Sequence, residues 1–345
     1  MGHEDAFLSP KLSARCRFIK GSTRGRGATG ETRRFQPLET TDRAAGFEPP
    51  IDDEPDDPYF NVATIERGSR MPATADCSAP PPVNYRGQSA EVYEQLMGRW
   101  SRRLAPLLIR FGGLSDGDRV IDVGCGTGSL IFALPEIANI EAAIGVDLAA
   151  GYVEAARARN ADWHITFQEA DARGLPFDDA SFDRAFSMLV LNFIPDATRA
   201  VAEMRRVVRQ DGTVTAAVWD TFSGLTHWRM MWDIAVALDP SLVPPLFSPM
   251  TAPDEMATLW RELGMVEVEQ TSLLIRMEFS SFEDYWRPFT TGEGGFSERY
   301  IASLSEPRRA RLTENMRRAY LADRPDGPRS FVSVAWACRG TVPSQ

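Results

Sequence analysis

The chain has 345 residues, 43% hydrophobic and 25% charged, with 38 basic against 48 acidic side chains and a net charge of -10. Such a composition supports a buried core, while the acidic balance argues against a protein that scans nucleic acid on a basic field. No run of about 18 apolar residues occurs, which excludes a transmembrane helix.

Residues 1–82 show no hydrophobic period. Segment 21–30 is rich in Gly, Ser, Thr and Arg, segment 48–58 is acidic and broken by proline, and Pro80, Pro81 and Pro82 close the stretch. This composition predicts a disordered N-terminal extension, with Met71 as an alternative translation start. Residues 83–341 read as globular. Apolar residues at helical spacing predict a helix over 89–111, with Ser89 as its N-cap. Short β-branched runs predict strands over 119–123, 142–146, 165–168, 182–189 and 213–219. Helices are expected to start at Ser129, to span 151–159, and to span 196–209 behind an Asp196 cap with an end near Gly212. A strand near 266–279, helices within 281–323 and a last strand near 331–338 follow. Strand and helix alternating on short links predict right-handed crossovers and a mostly parallel α/β sheet covered on both faces. The two late strands are expected to pair antiparallel at one edge.

Residue types narrow the chemistry. The two lysines are Lys11 and Lys20. Residues 21–345 therefore offer neither a Schiff-base amine nor the lysine of a phosphate-binding Walker loop or a kinase strand. Cys16, Cys77, Cys125 and Cys338 are widely spaced and form no CxxC pair. They point away from a disulfide framework or zinc site and toward a reducing cytoplasm.

The segment with most chemical content runs from Val120 to Ser129. An apolar strand carries Asp122 and stops at Gly124-Cys-Gly-Thr-Gly128. Ligands of open α/β sheets sit at the carboxyl ends of strands, where the strand order reverses, and glycines let the main chain turn and let a ligand lie against it. Asp147 ends the second strand, placed to accept hydrogen bonds from two ribose hydroxyls. These two features fit a nicotinamide dinucleotide and S-adenosylmethionine about equally. Asp171, past the third strand, is placed to accept an adenine amino group and favours the latter. Ser129 also departs from the dinucleotide fingerprint, which carries its third glycine elsewhere.

Together with Leu175-Pro-Phe, Ser181-Phe-Asp183, the stretch Glu203 to Gly212 and the leading helix from Tyr93 to Trp100, the pattern resembles the class I S-adenosylmethionine-dependent methyltransferases. It is most similar to the small-molecule group that includes the ubiquinone and menaquinone C-methyltransferases. The resemblance covers 85–220 well and 221–340 only in outline. It implies a Rossmann-like, mostly parallel seven-stranded sheet whose last strand is antiparallel, with helices on both faces and a helical substrate-cap insertion at 281–323. It divides 83–341 into a cofactor half, 85–220, and a substrate half, 221–341. S-adenosyl-L-methionine is the implied cofactor. Gly124, Cys125, Gly126 and Gly128 are implied against its methionine part, with Asp122 orienting the loop. Asp147 is implied at the ribose, Leu148 beside the adenine, and Asp171 and the Ala172 amide at the adenine edge. Met188 falls beside the sulfonium, and Arg99 at the methionine carboxylate. Asp183 is expected to hydrogen-bond backbone near the glycine loop, and Cys125 to pack rather than react.

The implied reaction moves a methyl group to a small, apolar or aromatic acceptor, with no nucleic-acid partner and no membrane span. His227 is the candidate general base or substrate hydrogen-bond partner; Asn192 and Asp220 are further candidates for orienting an acceptor. The aromatic weight of Trp219, Phe222, Trp228, Trp232, Trp260, Tyr285, Trp286 and Phe289 suggests an acceptor pocket as well as core. A nicotinamide-dependent oxidoreductase and a catalytically silent S-adenosylmethionine-binding protein remain as alternatives. The acceptor atom and the oligomeric state stay open.

Overall fold

The computed structural model describes residues 89–246, 248–291 and 295–344. The expected extension 1–82 and the alternative start at Met71 lie outside the described residues. Helix α1 (Ala90–Tyr93), a π-helical turn (Glu94–Gly98) and α2 (Arg99–Gly112) form one leading helix. Its apolar spacing buries Trp100, Leu104, Leu108 and Ile109. Strands β1 (Arg119–Val123), β2 (Ala142–Asp147) and β3 (Ile165–Glu169) follow, with α3 (Ala150–Arg159) crossing between the second and third. Next come β4 (Phe182–Met188), α4 (Ala197–Val207) and β5 (Val208–Trp219). The remainder comprises α5 (Thr226–Leu238), α6 (Glu255–Glu262), β6 (Val266–Phe279), α7 (Phe282–Thr290), α8 (Phe296–Ser303), α9 (Glu306–Leu321) and β7 (Arg329–Thr341).

The strands form one seven-stranded sheet in the order β3-β2-β1-β4-β5-β7-β6. Pairs from β3 to β5 are parallel. β7 lies antiparallel between β5 and β6. The expected Rossmann-like mixed sheet with an antiparallel last strand is borne out. Alternation along each strand sends residues to two cores. Val120, Phe186, Met188 and Met277 join the core under α2, α3, α5 and the 281–323 helices. Ile121, Val123, Ala185 and Val218 join the core under α4 and α6.

Two local expectations fail for identifiable reasons. No α-helix starts at Ser129. The chain instead makes a 3-10 helix over Ile131–Glu136, closed by bonds such as Ala133 N–H to Leu130 O at 2.9 Å. Pro135, inside it, has no N–H to continue a longer-period ladder. Nor does α4 run to residue 209 and stop at Gly212. It ends at Val207 and β5 begins at once with Val208. Gly212 lies within the strand, where an added Cβ would stand 2.5 Å from the Asp183 carbonyl oxygen. Its role is close backbone approach to β4, not helix termination.

Candidate active site

The strand order reverses between β1 and β4, since the chain goes from β1 outward to β3 and then returns to the other side of β1. At the carboxyl edge of that switch point lies the glycine turn. Gly124, Gly126 and Gly128 take φ of 78°, 52° and 93°, left-handed values that side chains resist. The Gly124 and Cys125 amides donate to Val146 O at 2.7 and 2.9 Å, which ties the turn to the end of β2. Asp147 completes the tie. Its Oδ2 accepts from the Gly126 amide at 2.9 Å and its Oδ1 from the Ala149 amide at 2.9 Å. At Gly128 a Cβ would stand 2.4 Å from the Phe132 ring, whereas at Gly126 the nearest atom is the Tyr93 hydroxyl at 3.8 Å. Gly126 is itself buried, and what lies against its main chain is the Tyr93 side chain at ordinary contact distance.

The electrostatics beneath this turn are unusual. Asp122 is 1% exposed, and neither carboxylate oxygen has a hydrogen-bond partner among the described residues. Burial first, and the Asp147 carboxylate second, push its pKa up to about 8, while the nearby Ile131 amide opposes the shift without a bond of ordinary geometry. Burial also raises Asp147, against the pull of the Ala149, Gly126 and Leu148 amides. Two acids that resist ionising side by side favour a cation between or above them. Cys125 is buried, and burial carries its thiol well above the usual range, so it packs as expected rather than reacting.

The other implied cofactor residues lie along the same edge. Leu148 is 40% exposed, an apolar side chain presented beside Asp147. Asp171 sits past β3, with Ala172 half-buried after it. Its carboxylate is paired with Arg173 at 2.7 Å, and that hydrogen bond pulls its pKa down to about 2. Met188 ends β4 at 8% exposure; the turn beyond it needs a positive φ at Leu189, 65°.

The leading helix contributes two residues, within the stretch Tyr93 to Trp100, to which the sequence assigned no site role. Tyr93 faces Gly126 and packs on Tyr152 with ring centroids 5.2 Å apart. Glu94 accepts from the Thr127 hydroxyl inside the glycine turn and pairs with Arg102 and Arg159. It lies at the start of the π-helical turn, a deformation often found at functional sites. In sequence these two residues only interrupt an apolar period, and nothing local marks what they face.

Arg99 lies apart from the glycine turn's hydrogen bonds. Its Nη1 holds both Asp284 oxygens, at 2.9 and 3.3 Å, and its guanidinium lies 4.3 Å from the Trp100 ring and 5.1 Å from that of Phe279. His227, on α5, packs among Phe279, Phe289 and Phe331 with ring centroids at 5.8, 6.5 and 6.4 Å. Burial first and Arg99 second lower its pKa to about 4. Asp220 is committed to its own turn, accepting from the Phe222 amide and from the Ser223 amide and hydroxyl. Asp196 caps α4 through the Arg199 amide. Asn192 sits half-buried in a 3-10 turn after β4.

Two placements differ from expectation. Asp183 does bond backbone, but at the opposite end of the sheet from the glycine turn. It accepts from the Arg119 amide at the start of β1, at 2.7 Å, because β1 and β4 run parallel and Asp183 lies second in β4. Trp260 belongs to the far face, where its indole N–H donates to Val214 O at 2.9 Å. Trp219, Trp232, Tyr285, Trp286 and Phe289 are buried in the core under α2 and α5, and Phe222 is 47% exposed. Among the described residues, no helix is long and apolar enough to cross a membrane.

Residues 121–216 match a family described as a methyltransferase domain. The demethylmenaquinone methyltransferase of Roseiflexus castenholzii is 31% identical over 163 residues, which cover 44% of this chain and 68% of that protein. The 2-phytyl-1,4-naphtoquinone methyltransferase of Trichormus variabilis is 28% identical over 224 residues, 60% of this chain and 92% of that one. An uncharacterised Mycobacterium tuberculosis protein is 36% identical over 118 residues; they cover 34% of this chain, which spans only 42% of that relative's length. Among solved structures, a Haemonchus contortus phosphoethanolamine N-methyltransferase 2 superposes with a TM-score of 0.46 at 18% identity. The match covers 74% of this chain and 57% of that one.

Proposed function

Because the chain belongs to the class I S-adenosylmethionine-dependent methyltransferase family, we propose that it transfers a methyl group from S-adenosyl-L-methionine to a small, apolar or aromatic acceptor. The observation that carries this reading is the joining of two strand ends at one glycine turn, with Asp147 holding Gly126 near a buried Asp122 that has no hydrogen-bond partner among the described residues.

The residues present fit the cofactor. Gly126 has no side chain and only Tyr93 against it, so a ligand that displaces the Tyr93 ring lies against the main chain, with Gly124, Cys125 and Gly128 shaping the turn. Asp122 and Asp147 supply the negative charge that a bound ammonium or sulfonium requires. Asp147, already accepting two amides, keeps lone pairs for ribose hydroxyls. Exposed Leu148 offers the adenine a flat apolar contact, and Asp171 and the Ala172 amide stand where its edge is read. Met188 closes the floor on the β4 side. Arg99 is left to the acceptor side by its bond to Asp284. In this reading 85–220 is the cofactor half and 221–341 the acceptor half, with 281–323 as its cap. The buried thiols of Cys125 and Cys338 support a reducing compartment, the cytoplasm.

When bound, the cofactor supplies an electrophilic methyl on a sulfonium leaving group. The protein's own part is alignment and exclusion of water. Holding the acceptor atom at about 3–3.5 Å in line with the breaking bond can supply roughly 7–11 kcal/mol. The two quinone methyltransferases among the relatives support a planar ring as acceptor, consistent with the aromatic lining of the second half.

Calorimetric titration of the full chain with S-adenosylmethionine, S-adenosylhomocysteine and NADH tests the reading. Both adenosyl ligands are expected to bind, with affinity falling about tenfold or more in Asp147→Ala. Binding of NADH alone would overturn it in favour of an oxidoreductase.

A further inference from the structure

The carboxyl edge of the sheet continues past the glycine turn into a second concentration of polar chemistry. β6 ends there with Phe279, and β7 begins there, with Phe331 near its start. The leading helix reaches this edge with its amino end. Tyr93 stands at Gly126, and Arg99 follows six residues later, about 9 Å along the helix axis. α5 departs from the same edge, fastened by the Thr226 hydroxyl donating to Val332 O at 2.8 Å. These elements bring Arg99 and His227 against one ring, that of Phe279. Phe289, Phe331 and Tyr285 complete an apolar wall; the Tyr285 hydroxyl is turned away to the His227 carbonyl at 2.8 Å.

Two polar atoms in this wall have no hydrogen-bond partner among the described residues. They are Nε of Arg99 and Nδ1 of His227, and both are buried. A buried donor left unmet costs about 1–3 kcal/mol, a cost that packing alone does not explain at either position. The Arg99 guanidinium is pinned by Asp284, which fixes where its remaining N–H groups lie. The titratable groups around His227 are Arg99 on α2, Asp284 and Tyr285 on α7, and Tyr320 on α9, stacked on Tyr285. Burial and Arg99 together hold the imidazole neutral at ordinary pH. A neutral imidazole beside an arginine is a poor base and a good donor. Such a site receives an anionic oxygen rather than creating one.

Resting on the methyltransferase reading, we propose that this aromatic wall is the acceptor site and that its occupant is a planar aromatic phenolate. The ring packs against Phe279, Phe289 and Phe331, and the ionised oxygen takes the N–H groups of Arg99 and of His227 in its Nδ1-protonated tautomer. His227 is thereby a substrate hydrogen-bond donor and not a general base. The phenolic proton leaves to solvent before transfer. An oxygen lone pair then forms the O–CH3 bond while the S–CH3 bond of the sulfonium donor breaks, leaving its electron pair on sulfur. A phenolate and a sulfonium become a neutral aryl methyl ether and a neutral thioether.

The test titrates the full chain with 4-nitrophenol, whose ionisation is visible in its absorbance, across a pH series with and without saturating S-adenosylhomocysteine. Nitrobenzene, which lacks the hydroxyl, is the control. Bound 4-nitrophenol is expected to ionise with an acid constant about tenfold stronger than in solution, and nitrobenzene to bind about tenfold more weakly. Arg99→Gln is expected to abolish the ionisation shift and His227→Gln to reduce it, each with unchanged affinity for S-adenosylhomocysteine. Ionisation of bound 4-nitrophenol as in free solution, or equal binding of nitrobenzene, would overturn the phenolate site even with the adenosyl ligand bound normally. If either variant fails to fold, the wild-type comparison of the two nitro compounds decides alone. Failure of S-adenosylhomocysteine to bind overturns the underlying function instead, and the titration without it still reports on the wall.

Discussion

Asp147 and Gly126 are joined by a 2.9 Å hydrogen bond from the glycine amide to the Asp147 carboxylate across 21 residues of chain. The bond makes the end of β2 a support for the turn after β1, so the carboxylate proposed to meet the cofactor also shapes the turn. Asp147→Asn keeps the size and one acceptor oxygen but loses the charge. The expected outcome is a folded protein, destabilised by about 1 kcal/mol, whose affinity for S-adenosylhomocysteine falls at least tenfold. Thermal unfolding and calorimetry separate the two effects.

The glycines of the turn are expected to respond unequally. Gly126→Ala meets only Tyr93, at an ordinary contact distance of 3.8 Å, and carries chiefly the left-handed backbone cost of about 1–2 kcal/mol. Gly128→Ala adds a contact with Phe132 at 2.4 Å and is expected to lose a further 1–3 kcal/mol or so. Denaturant midpoints should therefore rank wild type above Gly126→Ala above Gly128→Ala, while Gly126→Ala shows the clearer loss of adenosyl binding relative to its stability.

Asp122 ties ligand-free stability to pH. Its folded pKa, about 8, lies above the ordinary value of 3.8, so the folded state holds a proton that the unfolded chain releases. Below pH 3.8 both states are protonated and there is no penalty. The penalty grows as pH rises between those values and is complete above about 8. Asp122→Asn is expected to gain stability relative to the wild type at pH 8 and little at pH 4, and to bind the adenosyl ligands more weakly. An unchanged pH dependence of unfolding in the variant would count against the buried acid.

His227 acts in the opposite window. Its folded pKa of about 4 lies below 6.5, so the unfolded chain takes up a proton that the folded state refuses. Stability falls as pH drops from 6.5 toward 4. In His227→Gln the slope of stability against pH in that interval is expected to lessen by about one proton, as measured by chemical denaturation at stepped pH.

Trp260 supplies a control on the other face of the sheet. It is fully buried and bonds Val214 O. Trp260→Ala is expected to lose about 3–5 kcal/mol of stability with little change in adenosyl affinity at a temperature where the variant stays folded.

What the sequence disclosed follows from the range of each signal. β1 and β6 could be read to the residue, because a β-branched run ended by Gly124 and an alternating run ended at Phe279 are local patterns. The junction of α4 and β5 could not, since Gly212 looks like a helix stop and only the closeness of the Asp183 carbonyl shows otherwise. Asp122, Gly126 and Asp147 were legible as a set through their spacing. Tyr93 and Glu94 were not, because their partners Gly126 and Thr127 stand more than thirty residues away. Arg99 was visible as a helix cation, but its partner Asp284 lies 185 residues on, beyond any local pattern.

The position of β7 sets a timetable for biosynthesis. β6 is made some fifty residues before β7, yet every described strand partner of β6 belongs to β7. Until residues 329–341 leave the ribosome, β5 presents a bare edge and β6 waits without a neighbour. The glycine turn, β1, β2 and β3 can assemble meanwhile from residues already emerged. The half read here as cofactor-binding is thus able to take shape first, while the acceptor wall, which needs both Phe279 and Phe331, closes only when the last strand slides between its two partners.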